Sequence, residues 1–448
     1  MSARIVVVGG GFAGTGVARR LEKLVPQADI RLVSPDDHML YLPLLPQVAA
    51  GVLTPRAAVL SLSRLLRRTL LVPGRAIGVD LDTRRVLVRS ITGEHEVLPY
   101  DRLVLAPGSV TRVMDVPGLR EFGRGAKTLA EAAFLRDHVL GQLEIAHAST
   151  DPEERARRCR FVVVGGGYAG VETAANLQRT AVALARRLPR LDPSLIRWHV
   201  VQHGGELMPG LGARLSEDTR RVLVSRGVHV DLHTSLVGAD DTSVTLSDGR
   251  RLATSTLIWT AGVAPSPLVG RLDAETAHGR LVVEPDLSVP GRPEVSALGD
   301  AAAVPDLATG DGAVCPPTAQ HASRQAPVAA DNVVASLAGR PTRRYRHRDL
   351  GMVVDLGGRN AVAKPFGIGL AGTPAAAVTA AYHLWALHVP AAMARVATNW
   401  ALHAVQGQSA VRLGFLTGAS GRLAEFEHTD DYLEPAEVRA AVAAARSS

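Results

Sequence analysis

The sequence predicts an α/β fold built mainly from two similar strand–loop–helix units, followed by a C-terminal region of mixed strands and helices. An apolar strand, a glycine-rich loop and a helical pattern follow one another twice, at residues 5–24 and 161–188. After Pro341 the pattern changes to a strand hairpin and several helical segments. A chain of 448 residues is long enough for about two or three domains.

The composition excludes several classes of protein. Only two cysteines, Cys159 and Cys315, are present, which excludes a disulfide framework and a cysteine-rich zinc or iron–sulfur site, and we expect no metal centre. The net charge of +7 comes from 50 basic and 43 acidic residues. The charge is spread along the chain without a nucleic-acid-binding motif, so we expect no nucleic-acid partner.

Both units carry the motif G-x-G-x-x-G between a strand and a helix. The first glycine makes the turn, the second lets the backbone approach a pyrophosphate, and the third lets the helix pack on the strand. The start of the helix then faces the anion. The motif glycines are Gly9, Gly11 and Gly14 in the first unit and Gly165, Gly167 and Gly170 in the second. The chain is therefore predicted to bind two dinucleotides.

The residue that usually grips a ribose hydroxyl is not acidic in either unit. An acid is expected at the end of the next strand, about 20 residues on. Ser34 holds that place in the first unit and Gln202 in the second. Both side chains can hydrogen-bond a ribose, but Gln202 cannot repel a 2′-phosphate as a carboxylate would. The choice between NADH and NADPH therefore stays open.

Three later strands end in residues that are typical of cofactor contacts. A strand at 103–106 leads into Pro107 and Gly108, one at 256–261 leads into Gly262, and one at 295–298 ends in Gly-Asp at Asp300. We expect the backbone at these glycines to meet a cofactor. The charged stretch 151–158 is predicted to be a linker into the second unit.

Together, the two glycine motifs, the Gly108 loop and the late Gly299-Asp300 resemble the two-dinucleotide-binding-domain flavoproteins. The resemblance implies two Rossmann-like domains, with the NAD(P)H domain inserted in the FAD domain. It also implies that Asp300 holds the ribityl chain of FAD. The implied boundaries are 1–115 and 286–340 for the FAD domain, 116–285 for the NAD(P)H domain and 341–448 for a C-terminal α+β or helical domain.

Within that group the sequence resembles the type II NADH dehydrogenases, which are single-subunit NADH:quinone oxidoreductases. The matching stretches are Tyr41-Leu-Pro-Leu-Leu-Pro-Gln47, Tyr100-Asp-Arg-Leu-Val-Leu-Ala-Pro-Gly108, Gly170-Val-Glu172, Ile258-Trp-Thr-Ala-Gly262 and Pro316-Pro-Thr-Ala-Gln320. The resemblance implies that a hydride passes from NAD(P)H to FAD and that two electrons then pass to a quinone.

The same resemblance suggests the catalytic residues. It places Glu172 near the nicotinamide and the acceptor, although a carboxylate in the first turn of a helix also complements the helix dipole. It places Ala319 and Gln320 beside the flavin. The family motif Ala-Gln-x-x-x-Gln has Arg324 at its second glutamine position, with Gln325 one place late. If the segment is helical, Gln320 and Arg324 share a face and contact the quinone or other acceptor.

The residues leave other functions open. A soluble FAD-dependent NAD(P)H oxidoreductase with a non-quinone acceptor, for instance in a biosynthetic pathway, is the alternative enzyme. A non-catalytic flavoprotein whose bound NAD(P)H switches partner binding is a third class. Disulfide reductases of this architecture need C-x-x-x-x-C behind the first unit, and residues 35–60 contain no cysteine. Sulfide:quinone oxidoreductases need two cooperating thiols, and Cys159 is predicted to lie far from Cys315.

The C-terminal segments 375–389 and 391–405 mix apolar, aromatic and histidine residues, as interfacial helices do. The resemblance implies membrane contact through such helices, and hence a cytoplasmic protein that is peripheral on the inner face of the cytoplasmic membrane. A homodimer interface, or packing on the flavin domain, is the alternative use of these helices. A final helix is predicted at 434–446, and Lys127 is expected to be solvated.

Overall fold

The computed structural model describes residues 2–310, 312–426 and 431–447. The strands are β1 (Arg4–Val8), β2 (Asp29–Ser34), β3 (His38–Leu40), β4 (Val59–Ser61), β5 (Leu70–Asp80), β6 (Arg85–Ser90), β7 (His95–Pro99), β8 (Arg102–Leu105), β9 (Ser109–Thr111), β10 (Gly123–Arg124), β11 (Arg160–Val164), β12 (Arg197–Val201), β13 (Val228–Asp231), β14 (Leu236–Ala239), β15 (Ser243–Leu246), β16 (Arg251–Ala253), β17 (Leu257–Trp259), β18 (Val263–Pro265), β19 (Thr276–Ala277), β20 (Arg280–Val282), β21 (Ser288–Val289), β22 (Arg292–Ala297), β23 (Ala302–Ala303), β24 (Val353–Asp355), β25 (Ala361–Ala363) and β26 (Leu370–Ala371). The helices are α1 (Phe12–Leu24), α2 (Leu45–Ala49), α3 (Leu62–Leu65), α4 (Leu119–Phe122), α5 (Leu129–Ala148), α6 (Pro152–Arg158), α7 (Tyr168–Ala185), α8 (Ala213–Ser225), α9 (Pro267–Gly270), α10 (Ala319–Leu337), α11 (Thr373–Leu387), α12 (Pro390–Gln406) and α13 (Pro435–Ser447).

The first sheet has eight strands in the order β21-β22-β8-β1-β2-β5-β6-β7. Its central pairs, from β22 to β5, are parallel, and the outer strands β21, β6 and β7 pair antiparallel. The side chains of Ile5, Val6 and Val7 in β1 are all fully buried. Such a continuous apolar run is typical of a parallel strand covered on both faces. Helices α1 and α10 pack against each other beside this sheet.

The second sheet is inserted into the first. It has five parallel strands in the order β10-β17-β11-β12-β13. The chain leaves the first sheet after β8 and returns to it at β21 and β22, of which β22 pairs with β8. At the crossing, β9 pairs antiparallel with β18, so that Ser109 faces Pro265. The predicted fold class is confirmed, while the boundaries at residues 115, 285 and 340 stay predictions.

The expectation of a linker at 151–158 is wrong, because residues Pro152–Arg158 form helix α6. The Asp151 side chain caps the helix by accepting a hydrogen bond from the Glu153 backbone N–H at 2.9 Å. Pro152 occupies the first turn, acids follow it, and arginines fill the last turn. Each of these features favours a helix end, so the charge run stabilises a helix rather than a linker.

The C-terminal region packs against both units. Strands β24–β26 form a small antiparallel sheet that contacts α11, and α11 also contacts α12. Helix α13, predicted at 434–446, packs on the first sheet, where Val438 and Val442 share a buried cluster with Ile77 and Leu87. In the part of the chain that the structure describes, every helix falls short of the length and apolarity that crossing a bilayer requires.

Candidate active site

The first glycine loop has the three roles that the motif predicts. Gly9 adopts a φ of +108°, and a Cβ atom added to it would lie 2.1 Å from the Ala106 carbonyl oxygen. A Cβ atom on Gly14 would lie 1.9 Å from the Gly9 carbonyl oxygen, whereas one on Gly11 would meet no protein atom within 4 Å. Gly11 is also the N-cap of α1 and offers no capping side chain. The loop therefore leaves room and free N–H groups for a pyrophosphate, which fits a dinucleotide.

The second loop repeats this geometry. Gly165 has a φ of +114°, and a Cβ atom on Gly170 would lie 1.9 Å from the Gly165 carbonyl oxygen. A Cβ atom on Gly167 would meet no protein atom within 4 Å, and this residue is the uncapped start of α7. The two units therefore present matching anion-binding loops, each at the start of a helix.

The two non-acidic strand ends lie beside their loops, as expected from the sequence. The buried Ser34 hydroxyl accepts a hydrogen bond from the Asp36 backbone N–H at 3.3 Å. The buried Gln202 carbonyl oxygen accepts one from the Gly166 backbone N–H at 3.0 Å. Gln202 is therefore fixed to the second glycine loop itself.

A cavity of about 680 Å³ is lined by residues of both units and of α11. Of the predicted site residues, it brings together Glu172, Gly262, Asp300, Ala319, Gln320 and Arg324. The loop glycines, Ser34, Pro107, Gly108 and Gln202 do not line it. The predicted residues therefore form two groups. One group lines the shared cavity, and the other belongs mainly to the two nucleotide loops outside it. Gly108 and Gly262 have φ values of +75° and +99°, so both adopt a conformation that favours glycine.

Asp300 is held by a short chain of polar side chains. The Ser109 hydroxyl donates to the Asp300 carboxylate at 2.5 Å, and the Lys127 ammonium donates to the Ser109 oxygen at 2.8 Å. Burial lowers the pKa of Lys127. The expectation that Lys127 is solvated is therefore wrong. The chain has only three lysines, and this rarity was the one feature of the sequence that could have indicated a role for Lys127.

Glu172 is the fifth residue of α7, one turn further into the helix than the sequence predicts, and it lines the cavity. One carboxylate oxygen accepts a hydrogen bond from the Asp355 backbone N–H at 2.8 Å. Burial, and more weakly the Asp355 carboxylate, raise the pKa of Glu172 well above its usual range. Asp355 in turn accepts from the Gln47 side-chain amide at 2.8 Å, and Gln47 accepts from the Trp400 indole N–H at 2.7 Å. This series of bonds joins the second unit to β24 and α12.

Gln320 and Arg324 share a face at the start of α10, as the sequence predicts. The Arg324 guanidinium donates to the Gln320 carbonyl oxygen at 2.8 Å, and the Gln320 amide donates to the Gly351 carbonyl oxygen at 2.5 Å. Gln325 is instead buried, and its side chain accepts from the Gly299 backbone N–H at 2.7 Å. The glutamine that comes one place late therefore faces the core, and an arginine takes its place in the cavity wall.

Sequence reasoning missed a buried pair in the cavity wall. The Tyr41 hydroxyl lies 3.2 Å from Nδ1 of His383, and both side chains are buried. Burial lowers the pKa of His383 to about 4. A histidine within an otherwise apolar helix was the signal that could have found this pair.

The two cysteines are both buried free thiols. Burial raises the pKa of Cys315 to about 12 and that of Cys159 to about 11. They belong to two different core clusters. Neither lines the cavity, so the geometry does not support thiol chemistry there.

Comparison with known proteins identifies the family. The model for pyridine nucleotide-disulphide oxidoreductases matches residues 3–326. The chain is 32% identical over 381 residues to the type II NADH:quinone oxidoreductase Ndh of Mycobacterium tuberculosis, with 81% of this chain and 79% of that protein covered. The chain belongs to the type II NADH:quinone oxidoreductase family, within the pyridine nucleotide-disulphide oxidoreductases. The resemblance seen in the sequence is confirmed.

Two further comparisons extend across nearly the whole chain. Demethylphylloquinone reductase NdbB of Synechocystis is 30% identical, with 89% of this chain and 95% of that protein covered. The structure of NDH2 from Plasmodium falciparum in complex with NADH superposes with a TM-score of 0.86 at 17% identity, covering 92% of this chain and all of that one. The fold described above is therefore also that of NDH2 from Plasmodium falciparum.

Proposed function

We propose that the protein is an FAD-dependent NADH:quinone oxidoreductase that passes a hydride from NADH to FAD and then two electrons to a quinone. One observation carries this proposal: two matching dinucleotide loops lie on either side of one cavity, whose wall combines residues of both units. A shared cavity lets the two nucleotides meet at their reactive ends, and one further face stays available for an acceptor.

The first unit is the one that would hold FAD. Gly9, Gly11 and Gly14 would receive its pyrophosphate, Ser34 its adenosine ribose and Asp300 its ribityl chain. When bound, FAD supplies two-electron redox chemistry. Lys127 acts as a positioning residue, because its ammonium donates to the serine hydroxyl that bonds to Asp300.

The second unit would hold NADH through Gly165, Gly167 and Gly170, with Gln202 at the ribose. Glu172 lies between this loop and the cavity. Burial raises the pKa of Glu172 well above its usual range, which favours the protonated form of its carboxyl group. We assign it the role of holding a proton at the cavity wall, where a quinone gains protons on reduction.

The acceptor site is assigned to the wall formed by Gln320 and Arg324. Their mutual hydrogen bond fixes the guanidinium beside the cavity. Apolar and aromatic residues such as Leu42, Pro43 and Trp385 also line the cavity. A flat, mostly apolar ring with polar oxygens at its edge fits this combination.

A second candidate function rests on Arg324. A fixed cation in the cavity wall suits an anionic acceptor as well as a quinone oxygen. The alternative is therefore a soluble FAD-dependent oxidoreductase with a non-quinone acceptor.

The exposed apolar residues of the C-terminal region support peripheral membrane attachment at the cytoplasmic face of the membrane. Phe366 is 74% exposed, Ile368 is 64% exposed and Trp385 is 58% exposed. Aromatic and aliphatic side chains of this kind suit the headgroup level of a bilayer. A second copy of the chain is the alternative occupant of this surface.

Flotation with anionic liposomes tests the attachment. The wild-type protein should float, and a Phe366→Ala, Ile368→Ala double variant should remain at the bottom of the gradient. Ile91→Ala is the matched control, because Ile91 is 73% exposed on the turn between β6 and β7. Wild-type protein that stays wholly unbound, or that sediments as a dimer broken by the double variant, would favour the dimer interface.

The function itself is tested by anaerobic reduction of the purified yellow protein. NADH should bleach the flavin absorbance, and a short-chain quinone added next should restore it promptly. Bleaching without recovery would support the oxidation of NADH by the flavin and contradict the assignment of a quinone as the electron acceptor. A protein that NADH does not bleach at all would contradict the proposed function.

A further inference from the structure

The second nucleotide loop is closed by a glutamine whose orientation is fixed. Gln202 is 4% exposed, and its carbonyl oxygen accepts from the Gly166 backbone N–H at 3.0 Å. Its backbone is held as well, because its N–H donates to the Asp231 carbonyl oxygen at 2.9 Å and its carbonyl accepts from Thr234 at 3.0 Å. A backbone N–H requires an acceptor, so the amide oxygen must face the loop and the NH₂ group must face away from it.

The NH₂ group of Gln202 is therefore a donor at the ribose end of the site. It points toward the turn that follows β12, where a Cβ atom on Gly204 would lie 3.1 Å from it. An amide NH₂ donates to phosphate oxygens, whereas the carboxylate usual at this place repels them. The ribose end of the site thus carries a donor in place of a negative charge.

Two imidazoles flank the same turn. His203 follows Gln202 directly and is exposed, as is His233. The His233 ring lies against the turn, 2.9 Å from where a Cβ atom on Gly205 would be, and its backbone N–H donates to the Gly204 carbonyl oxygen at 3.1 Å. An imidazole N–H donates to phosphate in either protonation state.

The carboxylate at the end of the neighbouring strand is held by other residues. Asp231, at the end of β13, lies 3.0 Å from Nδ1 of His199 and 2.8 Å from the Arg250 guanidinium. Residues 202–205 themselves include no acid.

We infer that this site accepts a ribose 2′-phosphate, so that NADPH is a second reductant of the protein, with Gln202 and His203 as the residues that admit it. This inference rests on the proposed function, because it concerns the nucleotide that enters the same site. We expect NADPH to reduce the flavin with an efficiency within about tenfold of that of NADH.

The test compares NADH and NADPH by anaerobic stopped-flow reduction of the purified holoprotein. Gln202→Glu and His203→Glu each place a carboxylate beside the 2′ position, and each should lower the NADPH-to-NADH efficiency ratio by about tenfold or more. His95→Glu is the matched control, since His95 is an exposed histidine on β7 of the other sheet, and it should leave the ratio unchanged.

A binding measurement separates this inference from flavin chemistry. Adenosine 2′,5′-bisphosphate and adenosine 5′-monophosphate should bind the wild-type protein with similar affinity, and His203→Glu should weaken only the former by about tenfold. NADH bleaching with NADPH about a thousandfold slower would overturn the inference while leaving the proposed function standing. An efficiency ratio that neither carboxylate variant changes would overturn the roles of Gln202 and His203. Failure of both nucleotides to bleach the flavin would instead contradict the proposed function.

Discussion

Adding one methyl group to the second glycine of each loop should test which nucleotide that loop binds. Because a Cβ atom at Gly11 meets no protein atom within 4 Å, Gly11→Ala should fold normally, with a stability change within about 0.5 kcal/mol for the FAD-free protein. The same methyl group would occupy the space of the pyrophosphate, so the variant should lose FAD.

Gly167→Ala should retain FAD and lose reduction by NADH. The measurements are the flavin absorbance after gel filtration and the melting temperature.

Gly270→Ala is the control for both loop variants. It also adds a methyl group into open space, at the end of α9 and outside both loops. Retention of FAD by Gly11→Ala at the level of Gly270→Ala would contradict the assignment of the first loop.

The proton assigned to Glu172 gives a second prediction at this scale. Gln in its place can still accept the hydrogen bond from the Asp355 backbone N–H but cannot release a proton. Glu172→Gln should therefore bind FAD normally and slow quinone turnover by about 10²-fold or more. Steady-state turnover with a short-chain quinone and flavin content are the two readouts. Turnover equal to that of the wild type would discard the role of Glu172.

At the scale of elements, the contact between α13 and the first sheet can be tested by mutation. A Cβ atom on Gly78 of β5 would lie 2.1 Å from a methyl carbon of Val438. Gly78→Ala should therefore lower the free energy of unfolding by about 1–3 kcal/mol through overpacking. Val438→Ala in the same chain removes the clashing methyl groups and should recover part of that loss. Urea denaturation of the two single variants and the double variant measures the coupling, and strictly additive losses would contradict the contact.

Most elements could be predicted from the sequence, because local patterns specify them. Both glycine loops, the hairpin after Pro341 and the late strand before Asp300 follow from apolar runs and turn residues that are contiguous in the chain. Helix α6 was missed because a run of charges predicts either a linker or a capped helix, and only the capping geometry distinguishes the two.

The candidate site was only partly predictable, for a related reason. Glu172, Gln320 and Arg324 belong to short motifs, and the structure brings them to one cavity. His383 lines the same cavity, and Asp355 bonds to Glu172, only because the C-terminal region packs against both units. Contacts between residues so distant in the chain leave no local pattern that a single sequence could reveal.

Across the whole molecule, the buried His321 and His383 and the half-buried His138 predict the response to acid. Burial is the main cause that lowers the pKa of His138 to about 3 and the pKa values of His321 and His383 to about 4. In the unfolded chain a histidine binds its proton near pH 6.5. Between about pH 6.5 and pH 4 the unfolded state therefore binds more protons, and the free energy of unfolding should fall as the pH falls.

This acid dependence can be measured by denaturant unfolding at several pH values. Each of the three histidines should contribute about 1–3 kcal/mol to the fall in the free energy of unfolding between about pH 6.5 and pH 4. His138→Gln should flatten the dependence, because glutamine does not titrate and can still bond to Thr256. His95→Gln, a change at an exposed site on β7, is the control. Parallel curves for His138→Gln and the wild type would refute the explanation.

The insertion of the second sheet has a consequence for the order in which the chain is completed on the ribosome. Every strand of the inserted sheet has emerged by Trp259, whereas the first sheet still lacks β22, which spans Arg292–Ala297. Helix α10, which packs on α1, emerges later still. We therefore expect the second nucleotide unit to be assembled first during synthesis, while β8 of the first sheet waits for its partner β22, almost 200 residues downstream. The unit made first would thus be the last to become competent for its cofactor.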